Sequence, residues 1–213
     1  MTESWESATV EISTVDWKGV TVTLHDVPAK RNIATGKVRV SPTDVAKAEI
    51  VQVARELKLE ERDVPLFLLL YAKPGPFQRG YLCEKYKMNK MLFYLWKELE
   101  REGLGDALPH DEFVADKRGP VPKNLYEDFE RLAARGLFQV KGGRGTGKPV
   151  TCAFTPEGER LATRLWGRLA DPYLVAASRV KDWLFPLNCE TIMKRVHREY
   201  PHLRKTYTQP DAE

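Results

Sequence analysis

The pattern of hydrophobic and polar positions separates an N-terminal part with strand-like alternation from a longer part with helical periodicity. Hydrophobic and polar residues alternate over 10–12 and again over 20–24, which is typical of half-buried strands. Residues 17–19 are a candidate turn between them, and residues 37–40 are a candidate third strand. Because a ribbon of short strands is marginally stable alone, we expect it to pack on the rest of the chain.

Helical signals begin at Ser41. Ser41 suits the N-cap position, and Pro42 suits the first turn, where its missing N–H costs nothing. The hydrophobic face that follows predicts a first helix to about residue 58. A second, short helix at about 63–72 is apolar on nearly every side, so we expect it in the centre of the core.

The clearest amphipathic helix covers residues 88–99, where hydrophobic residues recur at helical spacing opposite a lysine- and glutamate-rich face. Gly103 ends it, and a loop follows at 104–118. Gly119-Pro120-Val121-Pro122 then predicts the start of a fourth helix, over about 120–135, with a glycine stop at Gly136.

Two strands separated by glycines come next. Residues 137–140 and 150–154 have strand composition, and the segment between them is rich in glycine. Thr155 and Pro156 are the N-cap and first residue of a fifth helix. Two more helical segments follow, at about 173–184 and 188–200, before a polar tail.

The order helix, helix, helix, strand, glycine loop, strand predicts an α+β fold, a mainly helical winged helix-turn-helix. We expect three parts: an N-terminal β-ribbon extension over 1–40, a winged-helix core over 41–170, and a C-terminal helical extension with a polar tail over 171–213.

Composition limits the class of protein. The chain has 213 residues, of which 42% are hydrophobic and 30% charged, so it can form a real core. The longest apolar run, 64–72, is far shorter than the roughly 20 residues of a membrane span. Acidic residues near the N-terminus do not fit a secretory signal. We therefore expect a cytoplasmic protein with no membrane partner.

Charge is concentrated near the C-terminus. Seven basic and three acidic residues lie between Arg179 and Lys205, a surplus equal to the net charge of +4 for the whole chain. A solvated helix face explains such a stretch as well as a binding surface does. The three cysteines are far apart, which argues against disulfides and a structural zinc site. We expect no cofactor and no metal ion.

The glycine-rich segment matches the spacing of a phosphate-binding loop over residues 142–148. However, Pro149 stands where that loop needs Ser or Thr, and a strand follows where the loop needs a helix. The alternative is a wing tip that carries three positive charges to the DNA backbone, at Lys141, Arg144 and Lys148. A flexible solvated loop has the same composition.

The start of the fourth helix offers the remaining DNA-binding candidates. Lys117 and Arg118 precede it and are candidates for phosphate contacts, while Lys123 and Asn124 lie at its first turn, where Asn124 can pair with adenine. Three carboxylates follow, and near phosphate they are repulsive: Glu127, Asp128 and Glu130. These carboxylates therefore argue against base-specific reading by this helix.

Several of these stretches resemble one protein family. The lysine-rich stretch 87–95 resembles a helix of the YwgA-like proteins and, more distantly, of the Panacea domain in SocA-type antitoxins. Gly119-Pro120-Val121-Pro122, together with 125–129, resembles their Gly-Pro-started helix. Phe154-Thr155-Pro156-Glu157-Gly158 resembles the close of their wing, and residues 190–201 resemble their C-terminal helix. The resemblance implies a winged helix and a role in regulation or toxin neutralisation, with no catalytic residues.

Two functional hypotheses follow. The first is a transcriptional regulator that binds duplex DNA through the wing and the start of the fourth helix. The second is an antitoxin-like module that binds a protein partner such as a toxin, without base-specific DNA reading. A homodimer through residues 1–40 suits either. We expect no enzymatic activity and no catalytic residues, because the polar residues at 110–116 show no ligand or catalytic spacing.

Overall fold

The chain forms a mixed α+β fold with small antiparallel sheets in the computed structural model, which describes residues 4–15, 21–72, 83–108, 113–115, 119–142 and 150–203. Among these residues there are seven helices: α1 (Pro42–Glu56), α2 (Val64–Tyr71), α3 (Lys85–Arg101), α4 (Leu125–Ala134), α5 (Pro156–Trp166), α6 (Asp171–Leu184) and α7 (Cys189–Glu199). The strands are β1 (Trp5–Val15), β2 (Thr21–Asn32), β3 (Val38–Arg39), β4 (Cys83–Glu84), β5 (Phe113–Val114), β6 (Val121–Pro122), β7 (Phe138–Lys141) and β8 (Thr151–Phe154).

The predicted N-terminal ribbon is a three-stranded antiparallel sheet in the order β1-β2-β3. The predicted turn at 17–19 lies outside the described residues. The inner face of the sheet packs on α1 through a small hydrophobic cluster that includes Leu24, Val27 and Ala48. This cluster is separate from the main core of the molecule. The ribbon is thus held mostly by one helix, as expected of strands that cannot bury a core themselves.

The helix α2 forms the centre of the main core. All eight of its residues are buried, since an 8-residue helix that is apolar on every side can leave no face to water. Phe67 lies with its ring centroid 5.4 Å from that of Phe138 and 5.2 Å from that of Phe154. Helices α3, α5 and α6 pack around it, so the prediction of a central second helix is confirmed.

The two strands around the glycine-rich segment pair as predicted, β7 with β8, and β4 adds to the other edge of β8. Thr155 connects this hairpin to α4 and α5. Its hydroxyl donates to the carbonyl of Gly136 at 2.7 Å and accepts from the Gly158 N–H at 3.0 Å. The predicted N-cap at Thr155 is therefore confirmed, and it also fixes the strand against the end of α4.

The fourth helix begins later than predicted. Residues 121–122 are extended and pair with Phe113–Val114, and α4 starts at Leu125. The cause is local: the residue before a proline is pushed away from helical backbone angles, which applies to Gly119 before Pro120 and to Val121 before Pro122. The prolines thus form an extended lead-in to the helix rather than its first turn.

The C-terminal helices complete the main core. Buried residues of α6 and α7, among them Tyr173, Val180 and Ile192, belong to the same hydrophobic cluster as α2 and α3. Lys181 is fully buried as well, and its ammonium donates to the carbonyl of Leu70 at the end of α2, 2.7 Å away.

None of the helices in the described ranges is long and apolar enough to cross a bilayer. The division of the chain at residues 40 and 170 stays a prediction.

A partly buried carboxylate joins α1 to the start of α6. Glu49 accepts a hydrogen bond from the Ala170 N–H at 2.9 Å. Burial raises the pKa of Glu49 to about 7, and this hydrogen bond offsets only part of the increase. The hydroxyl of Tyr173, whose pKa is raised by burial and by the charge of Glu49, has no hydrogen-bond partner among the described residues. Ionising Glu49 therefore costs folding free energy.

We expect the stability of the protein to fall as the pH rises through this pKa. The folded state holds the Glu49 proton more tightly than the unfolded chain does, so the stabilisation is complete below the ordinary glutamate pKa and is lost above about pH 7. Glu49→Gln should raise the unfolding free energy by about 1–3 kcal/mol at alkaline pH, and little in acid. Urea unfolding across the pH range measures this. The exposed Glu61→Gln is the control, and equal pH dependence in both variants would refute the assignment.

Candidate nucleic-acid interface

The outer face of α4 is the surface that the sequence suggests for DNA. Leu125, Phe129 and Leu132 face the core. The exposed residues on the opposite side of the helix recur at helical spacing and begin just before its first turn: Lys123, Tyr126, Glu127, Glu130 and Ala134. This stripe begins with a positive charge at the positive end of the helix dipole and continues with two carboxylates.

An ion-pair network at the inner edge of α4 fixes its orientation. Arg131 donates from its two terminal nitrogens to the fully buried Asp63, over 3.1 and 2.5 Å. It also donates to Asp128 at 2.9 Å, and Glu60 lies 3.0 Å away. Hydrogen bonding to Asp63 raises the pKa of Arg131, so the guanidinium stays charged. A bidentate arginine–carboxylate pair of this kind holds both elements in one geometry.

The same network neutralises Asp128, one of the three carboxylates whose negative charge opposes DNA binding by α4. Asp128 is 3% exposed, and its carboxylate lies 3.2 Å from Arg62 as well as within reach of Arg131. Its charge is therefore balanced inside the protein, and only Glu127 and Glu130 remain on the outer face. The electrostatic objection is smaller than the sequence suggests.

A buried lysine holds the segment that leads into α4. Lys90 of α3 is fully buried, and its ammonium donates to the Pro120 carbonyl at 2.6 Å. Lys85, Lys87 and Lys90 lie together near the start of this helix, and the lysine-rich polar face predicted from the sequence does not fit the burial of Lys90. The burial of Lys90 could not be predicted from the sequence, because its hydrogen-bond acceptor lies 30 positions further along the chain in a proline-rich segment with no periodicity.

The other two lysines of that group also contact protein. Lys87 donates to the carbonyl of Phe185 at 3.0 Å, which ties α3 to the end of α6. The ammonium of Lys85 lies against the ring of the exposed Tyr126 on α4, and burial lowers the pKa of Lys85 to about 8. Lys85 therefore borders the outer face of α4 as a cation that is partly withdrawn from water.

Three of the seven predicted DNA-binding residues lie within the described ranges. Lys123 is exposed and Asn124 is half-buried, both directly before α4, and the backbone carbonyl of Asn124 accepts from Asp128 at 3.0 Å. Lys141 is exposed at the end of β7, where the strand enters the glycine-rich segment. The other four lie outside the described residues: Lys117, Arg118, Arg144 and Lys148.

Comparison with known proteins adds no family to this picture. No protein-family model matches the chain, and neither a curated protein nor a solved structure matches it. The resemblance to the YwgA-like and Panacea proteins stays a prediction from short motifs.

The approach of α7 to the lead-in segment gives a test of this geometry. Gly119 has a φ of +85°, and a Cβ added there would lie 2.7 Å from Cγ1 of Val196 on α7. Gly136 has a φ of +68° and open space around the same position. Gly136→Ala should therefore lower the free energy of unfolding by about 1 kcal/mol, through backbone strain alone. Gly119→Ala should lower it by about 1–3 kcal/mol more, because the side chain of Val196 is stiff in a helix and cannot move away from the new Cβ.

Urea unfolding of the two variants measures the difference, and a double-mutant cycle with Val196→Ala assigns it to the contact. The valine substitution should be less costly in the Gly119→Ala background than in the parent protein. Equal losses for Gly119→Ala and Gly136→Ala would show that α7 does not lie against this segment.

Proposed function

We propose that the chain is a winged-helix protein that binds duplex DNA and acts as a transcriptional regulator. The observation that carries the proposal is that the β7–β8 hairpin directly follows α4 and pairs with β4, which lies between α2 and α3 in the sequence. In a winged helix, a hairpin follows the third helix of a compact helical group. A short strand between the first and second helices pairs with this hairpin as a third strand. In this reading α2, α3 and α4 are the three helices, and β7 and β8 are the wing strands.

The charges around α4 support a backbone-dominated mode of binding. Lys123 lies at the helix N-terminus, where the backbone N–H groups and the dipole also favour phosphate. Lys141 begins a segment that carries two further cations, Arg144 and Lys148. Positive charges at the first turn and on the wing suit phosphate contacts on either side of a groove. Asn124 is the candidate for base reading.

Removing the wing charges should weaken DNA binding and its salt dependence together. The test is the triple variant Lys141→Ala, Arg144→Ala, Lys148→Ala. Its three lost phosphate contacts should reduce the steepness of log affinity against log salt concentration by about 2.7, or 0.9 for each contact. Gel shifts on random duplex DNA at several salt concentrations measure the slope.

The matched control removes three exposed lysines elsewhere, Lys30, Lys37 and Lys47, which lie on the ribbon and α1. It changes the net charge by the same amount and should leave the slope unchanged. If both triple variants lose affinity equally, binding follows net charge and the wing is not the contact surface.

A protein-binding module is the second candidate, favoured by one feature of α4. Tyr126 is 57% exposed and lies beside Glu127 and Glu130 on the outer face. An exposed aromatic side chain with neighbouring carboxylates is a combination that a basic protein partner can use and that DNA cannot.

Charge reversal distinguishes the two candidates. The test is the double variant Glu127→Lys, Glu130→Lys. If the outer face of α4 approaches phosphate, this variant should bind DNA about tenfold or more tightly and with a steeper salt dependence, because repulsion becomes attraction. If this face binds protein, the substitution should change DNA binding no more than a control with the same charge change. Glu6→Lys, Glu11→Lys on β1 is that control, since both residues are exposed and the net charge rises by the same amount.

A further inference from the structure

Two of the cations near the C-terminus, Arg179 and Arg195, line a cleft outside α4 and the hairpin. Helices α3, α6 and α7 enclose a cleft of about 400 Å³, a volume within the range of small-molecule sites. Its charged lining comes from all three helices and consists of four cations and two carboxylates: Lys97, Arg101, Arg179, Arg195, Glu98 and Glu199. Two further carboxylates lie beside this lining, Glu100 at 2.7 Å from Lys97 and Glu102 at 4.0 Å from Arg179, so most of its cations already have a partner.

Aromatic rings form the other part of the lining. The rings of Tyr94 and Trp183 meet edge to face, with centroids 4.9 Å apart, and Tyr200 lies 6.1 Å from Tyr94. Trp183 is 37% exposed, so part of this large aromatic side chain is open to solvent in the cleft. The hydroxyl of Tyr94 donates to Glu199 at 2.8 Å, so this carboxylate is held by the protein.

Arg195 is fixed in a position that leaves its binding groups available. Its guanidinium carbon lies 3.8 Å from the centroid of Trp183, and its Nε donates to Glu199 at 3.0 Å. The two terminal nitrogens have no acceptor among the described residues. A guanidinium held from its face and from Nε has already lost much of its side-chain freedom, and it presents the planar fork that matches phosphate and carboxylate groups.

We propose that this cleft binds a small aromatic phosphate. Arg195 supplies the fork for the phosphate oxygens, and Arg179, which lies 3.3 Å from Glu98, adds a second guanidinium from α6. The ring of the ligand packs against Trp183 and Tyr200, which explains why these aromatic residues line a solvent-accessible cleft. The proposal does not depend on DNA binding, since none of these residues belongs to α4 or the hairpin.

Isothermal titration of the 213-residue chain with phenyl phosphate tests the proposal. We expect saturable binding, with inorganic phosphate and phenol each at least about tenfold weaker because each lacks one half of the recognition. Binding should also quench or shift the fluorescence of Trp183, and Trp183→Leu should remove that signal and weaken binding.

Variants of the arginines assign the site. Arg195→Ala should weaken phenyl phosphate binding by about tenfold or more, and Arg195→Lys should recover only part of the loss, because a lysine has no fork. The control is Arg160→Ala on α5, an exposed arginine paired with Glu157, which should bind like the parent. Arg179→Ala, at a more exposed position, gives a second test if Arg195→Ala impairs folding.

The proposal is overturned if phenyl phosphate shows no saturable binding at about 10 mM, since affinity that weak is below that of a built site. It is also overturned if inorganic phosphate binds as tightly as phenyl phosphate, or if Arg160→Ala reduces binding as much as Arg195→Ala does.

Discussion

The organisation of this protein depends on one constraint, that the eight apolar residues of α2 must be covered on every side. An amphipathic helix can lie on a surface, but α2 cannot, so α3, α5, α6 and the hairpin surround it. Phe138 and Phe154 of the hairpin reach it from one side. The carbonyl of Leu70 near its C-terminus, which water cannot reach, accepts from the buried ammonium of Lys181.

Lysines that bond to backbone carbonyls recur at the joints of this core. Lys90 holds the turn before α4, Lys181 holds the end of α2, and Lys87 holds the end of α6. Each is a long apolar stem with a charged tip, so it can cross a packed layer and still satisfy a polar group on the far side. Through Arg195 and Val196, adjacent residues of α7 take part in both the cationic cleft and the packing on the segment that leads to α4. One helix is thus shared by the two surfaces to which we assign function.

Apart from the start of α4, the positions of the helices and the N-caps at Ser41 and Thr155 could be predicted from the sequence because they depend on local signals. Ser41 and Thr155 are N-caps by the chemistry of their own neighbourhoods, and the stripe over 88–99 needs no knowledge of what covers it. Strands of two residues, such as Val121–Pro122, carry no periodicity and were missed. The burial of Lys90 and Asp128 was missed as well, because their partners come from other elements, and charged residues are expected outside unless such partners exist.

The separate packing of the N-terminal ribbon has a consequence for how the molecule opens. Since Leu24 and Val27 pack on α1 in a cluster of their own, the ribbon can detach without exposing α2 or the helices around it to water. Partial opening of this kind requires far less free energy than global unfolding. The ribbon is therefore the segment whose backbone amides would exchange with solvent through a local excursion, while those of the helical core wait for the whole chain to unfold.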